Sequence, residues 1–274
     1  MIKILFIGDI YGKPGRKVVS KLLPKLKAEE NFDLVIANGE NLAGGLGITP
    51  KTAKEMFDIG INVFTSGNHL WDKKEIIDFL TIENRILKPA NYPPEAPGND
   101  FYIFETYQKV KIGILNLMGR AFTVTIDCPF RTADEYLKKI NKITNIVILD
   151  FHAEATAEKM ALAWYLDGKV SAIVGTHTHV PTADERILPQ GTAYITDVGM
   201  TGSHDSVIGL RIKDALERFI TQIPVRFHPA KENLKFNGFV VTIDEKTGKA
   251  NDIKRLSIPL INDETNIPIY RHPS

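Results

Sequence analysis

The sequence predicts an α/β protein with buried strands, and three observations predict it. Short runs rich in Ile, Val and Leu alternate with amphipathic segments of helical period along most of the chain. Several of the helical segments open after a Gly, Pro or Thr signal. Small polar clusters follow nearly every strand-like run, where the carboxyl ends of an open α/β sheet would lie.

Taken in order, strands are expected over residues 2–7, 34–37, 62–65, 102–106, 111–117, 145–151, 170–174 and 192–196. Helices are expected over 15–30, 50–59, 73–80, 132–142, 153–166 and 213–221. The last part of the chain reads differently. Residues 225–228, 236–244 and 254–260, with the turn Glu245-Lys246-Thr247-Gly248, predict an antiparallel hairpin system. The proline-rich stretch 88–98 is the best linker candidate, yet strands resume directly after it. We read it as an ordered surface loop inside one domain spanning 1–274. Trp71 and Trp164 are assigned to packing.

With 274 residues, 24% charged and 43% hydrophobic, the chain is an ordinary globular protein able to bury a full core. A net charge of +1 gives no general attraction to nucleic acid or to an anionic membrane, so an anionic ligand needs a local site. No basic stripe with interleaved aromatics suggests RNA. The single cysteine, Cys128, makes no internal disulfide and fits a reducing compartment. The opening MIKILFIGD has too short an apolar run for a signal peptide, and no stretch reaches the roughly 20 apolar residues of a membrane span. A soluble cytoplasmic protein is expected.

The polar clusters are Gly8-Asp9, Asn38-Gly39-Glu40-Asn41, Gly67-Asn68-His69, His152 and Gly175-Thr176-His177-Thr178-His179. Singly, each has a plain reading: Asp9 as a helix N-cap, Glu40-Asn41 as a solvated turn, Gly67-Asn68 as turn chemistry, and His152 as a hydrogen-bonded histidine. His177 and His179 are harder to dismiss, because alternate side chains of an extended segment share a face. Together, five such clusters at equivalent strand ends point to a shared polar centre. Imidazole, carboxylate and amide oxygen without thiolate suit Fe, Mn or Zn and argue against a structural zinc or iron–sulfur site. A pair of such ions, about 3.5–4 Å apart, needs a carboxylate between them, and Asp9 and Glu40 are the strand-end acids on offer.

At these residues the chain resembles the calcineurin-like metallophosphoesterases, whose pattern runs G-D-x-H, G-D-x-x-D, G-N-H-[DE], a lone His and G-H-x-H. The order agrees along residues 8 to 179, with three departures. Tyr11 replaces the first histidine, Gly39-Glu40-Asn41 replaces Gly-Asp-x-x-Asp, and Thr176 precedes His177. The set Gly-Asp-Ile-Tyr-Gly-Lys-Pro-Gly-Arg, Asn-Gly-Glu-Asn, Gly-Asn-His-Leu-Trp-Asp and Thr-Asp-Val-Gly-Met-Thr-Gly is similar, over essentially the whole chain, to the YmdB-like phosphodiesterases. In that branch the bridging carboxylate is glutamate and the neighbouring asparagine completes the first site.

The resemblance implies a four-layer sandwich, two mixed β-sheets packed together and flanked by helices, with the active site at strand C-terminal ends. It implies one metal held by Asp9, Glu40, Asn41 and His179, and a second held by Glu40, Asn68, His152 and His177. Fe or Mn are the expected ions, with Zn as the alternative. His69, next to a ligand but assigned to neither ion, suits a general acid, as the branch supports. Lys13 and Arg16 at a helix start, Arg120, and Ser203 and His204 in the small polar segment 199–206 are the candidate substrate contacts. The implied substrate is a small phosphodiester, a 2′,3′-cyclic nucleotide opened to the 3′-nucleotide by water activated on the metals, and the implied assembly is a homo-oligomer. Two other readings stay open: a phosphomonoesterase, and a regulatory or RNA-associated protein with a secondary phosphoesterase centre.

Overall fold

In the computed structural model, which describes residues 1–261, the apolar runs become strands of two mixed sheets. The elements in chain order are β1 (Ile2–Ile7), β2 (Asp9–Ile10), α1 (Gly12–Glu29), β3 (Leu34–Asn38), α2 (Pro50–Ile59), β4 (Val63–Thr65), α3 (Ile76–Leu80), β5 (Phe101–Glu105) and β6 (Lys111–Met118). There follow α4 (Pro129–Ile140), β7 (Val147–His152), α5 (Thr156–Leu166), β8 (Ala172–Thr176), β9 (Arg186–Ile187), β10 (Ala193–Ile195), β11 (Met200–Ser203), α6 (Ile212–Thr221), β12 (Leu234–Ile243) and β13 (Ala250–Pro259). The first sheet has the order β2-β11-β12-β1-β3-β4, with β13 also paired to β12. The second runs β5-β6-β7-β8-β10-β9.

Strand period explains the layering. Ile2, Ile4 and Phe6 of β1, and Leu34 and Ile36 of β3, join one buried cluster with Ile112, Ile114, Ile148 and Val174 of the second sheet. The alternate residues Leu5, Ile7, Val35 and Ala37 pack instead with Val18, Val19, Leu22, Leu23 and Leu26 of α1 and with Ala53 and Met56 of α2. On the far side Leu115, Leu117, Val147, Leu149 and Phe151 pack on Leu137 and Ile140 of α4 and on Leu162 and Leu166 of α5. Both sheets are therefore apolar on both faces, which gives helix, sheet, sheet, helix.

Within this frame α2 matches its expected bounds. Thr49 and Thr52 form a reciprocal N-terminal box, and Gly60 closes the helix at φ +116°. α1 begins at Gly12, before the expected start, and α3 keeps only Ile76–Leu80 of the expected 73–80. Residues just after His69 are taken up in tight turns, with the Asp72 amide donating to the His69 carbonyl at 3.2 Å. The terminal hairpin is β12 with β13, antiparallel, but 225–228 forms no strand. β12 is flanked by β1 and β11 on one edge and β13 on the other, leaving no edge for a further partner. The short strands β2, β9 and β11 were not expected. Trp71 does pack, edge-on to Tyr92 at 4.8 Å, whereas Trp164 is half exposed under the Arg186 guanidinium. The proline-rich stretch is partly interior, with Lys88, Ala90 and Asn91 buried. Among the described residues no helix is long and apolar enough to cross a membrane.

Candidate metal centre

The inter-sheet face turns polar at the carboxyl ends of the strands. Continuing the alternation of Leu34 and Ile36 brings Asn38, that of Ile112 and Ile114 brings Asn116, that of Ile148 brings Asp150 and His152, and that of Ala172 and Val174 brings Thr176. All five are fully buried. Such groups must bond one another. The Asn38 amide donates to Asp150 Oδ2 at 3.2 Å, the Thr176 hydroxyl donates to Asp150 Oδ1 at 2.8 Å, and Asn116 donates to the Ser66 carbonyl at 2.9 Å. Asn38 Oδ1 accepts the Glu40 amide at 3.2 Å, so this layer also aims the residue that follows β3.

The same layer sets the histidine tautomers. His152 Nδ1 is 2.9 Å from Thr176 Oγ1, whose proton is committed to Asp150, so Nδ1 carries a hydrogen and Nε2 is the nitrogen turned to the cluster. His179 Nδ1 lies 2.8 Å from the Ile208 carbonyl, which can only accept, freeing Nε2. His177 Nε2 faces Glu154 Oε2 at 3.3 Å, which leaves Nδ1 as the lone-pair nitrogen. Each imidazole thus has one ring nitrogen anchored and the other presented, the arrangement of metal-ligating histidines.

The presented atoms converge. His152 Nε2 is 2.9 Å from His177 Nδ1, 3.2 Å from Asn68 Oδ1 and 3.2 Å from Glu40 Oε1. Ligand atoms of Glu40, His152 and His177 all lie within 4.8 Å of one another. Beside them, His179 Nε2 is 3.8 Å from Asp9 Oδ1. Asp9 Oδ1 and Asn41 Oδ1 are buried without a hydrogen-bond partner among the described residues, and the Asn41 amide is spent on the Gly45 carbonyl at 3.0 Å. Buried oxygens left bare in this way, next to presented imidazole nitrogens, fit cations.

The electrostatics divide the histidines: burial opposes charging His152, but the charge and hydrogen bond of Glu40, with Asp9, outweigh it and raise the imidazole to about 9, a proton that a cation at Nε2 would replace. Burial chiefly raises the Asp9 carboxyl, to about 6, against the opposing pull of His179 and His152. Burial opposes ionisation of Glu40 too, but the charge and hydrogen bond of His152 outweigh it and carry the group down to about 2. His177 is pushed down to about 3 by burial and by His152, which favours the neutral, ligating imidazole.

Two backbone features make the convergence sterically feasible. A Cβ on Gly67 would come 2.1 Å from the His152 ring and 2.5 Å from Glu40 Oε2. His177 and His179 lie beyond the end of β8 with φ +99° and +66°, so they reach the site through left-handed backbone. The extended alternation expected for the pair is not what presents them.

The simpler readings of the other ligand candidates also fail. Asp9 caps nothing, since α1 begins after Tyr11 with no side-chain cap, and Glu40 and Asn41 are buried. His69 Nδ1 bonds Asp72 Oδ2 at 2.8 Å, its amide donates to Glu40 Oε2 at 3.1 Å, and its side chain lines the cavity over the cluster. That cavity, about 570 Å³, is bounded by Tyr11, Leu46, Glu154, Ile208, Leu210 and Phe227 besides the cluster itself.

None of the five candidate substrate contacts is in its lining. Arg16 is tied to Glu55 and the Leu42 carbonyl, and Lys13 borders a separate hollow with Lys17 and Lys231. Arg120 is anchored through its amide to Glu158, Ser203 donates to the Glu232 carbonyl, and His204 lies against the Met200 carbonyl. Segment 199–206 touches the site through its backbone instead, with Met200 paired to Asp9.

Asp150, Glu154 and the Ile208 carbonyl escaped the sequence reading, which placed Asn38 in a polar cluster but gave it no role. A carboxylate inside Ile146-Val147-Ile148-Leu149-Asp150-Phe151 is a signal that could have found Asp150. A backbone carbonyl leaves none.

The chain matches the model of the YmdB-like protein family over residues 5–256. It is 47% identical over 263 residues to a 2′,3′-cyclic-nucleotide 2′-phosphodiesterase of Bacillus subtilis (strain 168), covering 96% of this chain and 98% of that one. Two crystal structures share the fold at a TM-score of 0.89 each. One is a protein of Thermus thermophilus, 40% identical over 94% of this chain and 99% of that one. The other is a phosphatase of Mycoplasma pneumoniae, 35% identical over 94% of this chain and 93% of that one. The chain belongs to the YmdB-like family.

Proposed function

We propose that this member of the YmdB-like family is a metal-dependent phosphoric diester hydrolase that opens 2′,3′-cyclic nucleotides to 3′-nucleotides. The observation that carries the reading is the set of converging, ring-anchored ligand atoms at a cavity whose lining, among the described residues, has no lysine or arginine. A phosphodiester brings one negative charge where a monoester brings nearly two, and a site whose positive charge comes from ions alone favours the diester.

Asp9, Glu40, Asn41 and His179 would hold one ion, and Glu40, Asn68, His152 and His177 the other, with Fe or Mn favoured over Zn. When bound, such ions oppose charge on the equatorial phosphoryl oxygens and bring the pKa of a coordinated water to about 7. The chain's own part is orientation and proton transfer. Glu40 would bridge the two ions: its Oε1 faces His152 at 3.2 Å, and the His69 amide fixes its Oε2. Asp72 holds the His69 Nδ1 proton, so Nε2 faces the cavity and, when protonated, can deliver a proton to the departing 2′ oxygen. The relative from B. subtilis carries this activity in its name, and the single cysteine fits a cytoplasmic setting.

Phosphorus NMR of metal-replete protein with each 2′,3′-cyclic nucleotide tests the proposal. A 3′-monoester that persists is expected. Rapid release of inorganic phosphate would favour a phosphomonoesterase, and inert substrate would leave a regulatory protein.

A further inference from the structure

One wall of the metal cavity does nothing in the chemistry above. It is formed by Leu46, Ile208, Leu210 and Phe227, all apolar, and three of them are substantially exposed: Leu46 at 44%, Ile208 at 50% and Phe227 at 43%. Exposed aliphatic and aromatic groups lining one hollow together with Glu40, Glu154, His177 and His179 make the pocket amphipathic. This wall is tied to His179. The Ile208 carbonyl is the acceptor that holds His179 Nδ1, and Ile208 itself sits in left-handed backbone at φ +48°. Gly209, beside it, would drive a Cβ to 2.7 Å from the Tyr11 ring, and the Tyr11 ring in turn packs edge-on to His179 at 5.5 Å. The Ile208 backbone and the His179 ring are thereby held in a fixed relation.

We propose that this wall is a nucleobase platform, with Phe227 as its aromatic member, and that it accepts all four bases alike. The inference rests on the diesterase reading. A ribose 2′,3′-cyclic phosphate seated over the ligands carries its base at C1′, on the far side of the sugar from the phosphate, and needs a flat apolar surface there. Every base has a π-face, so stacking tolerates any sequence. Among the described residues, the four apolar side chains offer nothing that could read a base edge, and Glu154, the exposed carboxylate of the lining, is turned to His177 Nε2 at 3.3 Å.

The test compares kcat/KM for the four nucleoside 2′,3′-cyclic phosphates with that for methyl β-riboside 2,3-cyclic phosphate, which lacks the base. Wild-type protein should prefer the nucleotides roughly tenfold or more, with the four bases within a few-fold of one another. That preference should collapse in Phe227→Ala and survive in Phe227→Tyr. Saturation-transfer NMR with adenosine 3′-monophosphate supplies a readout apart from turnover: the base protons should be saturated more strongly than the ribose protons in wild type, and this bias should vanish in Phe227→Ala. A preference unchanged by Phe227→Ala, or a strong bias for one base, overturns the platform while the diesterase reading stands. A shift in oligomeric state of Phe227→Ala with the preference intact assigns the wall to a contact between copies and overturns it too. Failure of metal-replete wild-type protein to open any cyclic substrate removes the diesterase reading, and the platform with it.

Discussion

Lys159 Nζ lies 2.7 Å from Asp197 Oδ2, and both side chains are buried to about 1% exposure, one on α5 and the other after β10. The same carboxylate oxygen accepts the Thr178 amide at 3.2 Å and its hydroxyl at 2.8 Å, while Oδ1 accepts the Gly199 amide at 2.8 Å. Thr178 stands between the two histidines held at positive φ. The ion pair therefore fastens the loop that carries them. Left-handed backbone at non-glycine residues persists where the surroundings over-determine it, and here Asp197 is that constraint.

Removing one partner of a buried pair strands the other charge, at a cost of about 3–5 kcal/mol. Lys159→Met should lower unfolding stability by that order in urea, whereas Lys159→Met combined with Asp197→Asn should recover part of the loss. If the single variant unfolds like wild type, the pair does not support the loop.

A different kind of support comes from Thr176, which fixes the His152 ring through Nδ1. Replacing the outer partner of a ligating histidine typically costs roughly 10–100-fold in metal affinity. Thr176→Val should show a loss of that size in chelator competition, and Thr176→Ser should keep near wild-type affinity. Equal affinity in the valine variant would detach Thr176 from the metal centre.

Glu40 should matter to both ions, since its Oε1 faces His152 at 3.2 Å in one ligand group and the residue is followed directly by Asn41 of the other. Glu40→Ala is expected to lose both ions in elemental analysis, while His179→Ala mainly loses one. Two ions retained per chain in Glu40→Ala would exclude a bridging role.

How much of this was legible beforehand follows from where the information sits. The ligand candidates could be found because each stands just after an apolar run, and strand ends are where α/β sheets place ligands. β1 from Ile2 to Ile7 and α2 from Pro50 to Ile59 were readable to the residue, the first from its continuous apolar run and the second from Thr49-Pro50 and Gly60. Strand β11 was not, because Met200-Thr201-Gly202-Ser203 has no apolar pattern of its own and is a strand only by pairing with β2 and β12. Residues 225–228 had a strand-like composition but pair with neither sheet. The bond from His179 to the Ile208 carbonyl joins residues 29 apart through a backbone atom, and residue identity does not encode it. Lys13 and Arg16 looked suitable because they begin a helix, yet α1 starts at Gly12 and its Arg16 is turned toward Glu55.

Steric room at the centre can be tested at Gly67. A methyl group there would meet the His152 ring at about the position of its Nε2, 2.2 Å away, and Glu40 Oε2 at 2.5 Å. Neither neighbour is the free end of a flexible surface chain. Gly67→Ala should therefore displace a ligand and cut metal occupancy, with a loss of stability much smaller than the loss of metal. Full occupancy measured by elemental analysis would mean that the centre relaxes around the methyl group.

The role given to His69 separates from all of these, because its ring is anchored to Asp72 and its amide, not its imidazole, contacts Glu40. His69→Ala should keep its metal content. Turnover of 2′,3′-cyclic nucleotides should fall by about 10²–10⁴-fold, the usual worth of a positioned general acid. An alkoxide leaving group needs the proton and a nitrophenolate hardly does, so activated aryl diesters should suffer much less. Asp72→Asn should reproduce a weaker form of the same selectivity, since it disturbs only the orientation of the ring. Metal loss in His69→Ala, or equal losses for alkyl and aryl leaving groups, would show that the histidine acts on the ions or on substrate binding and not on the departing oxygen.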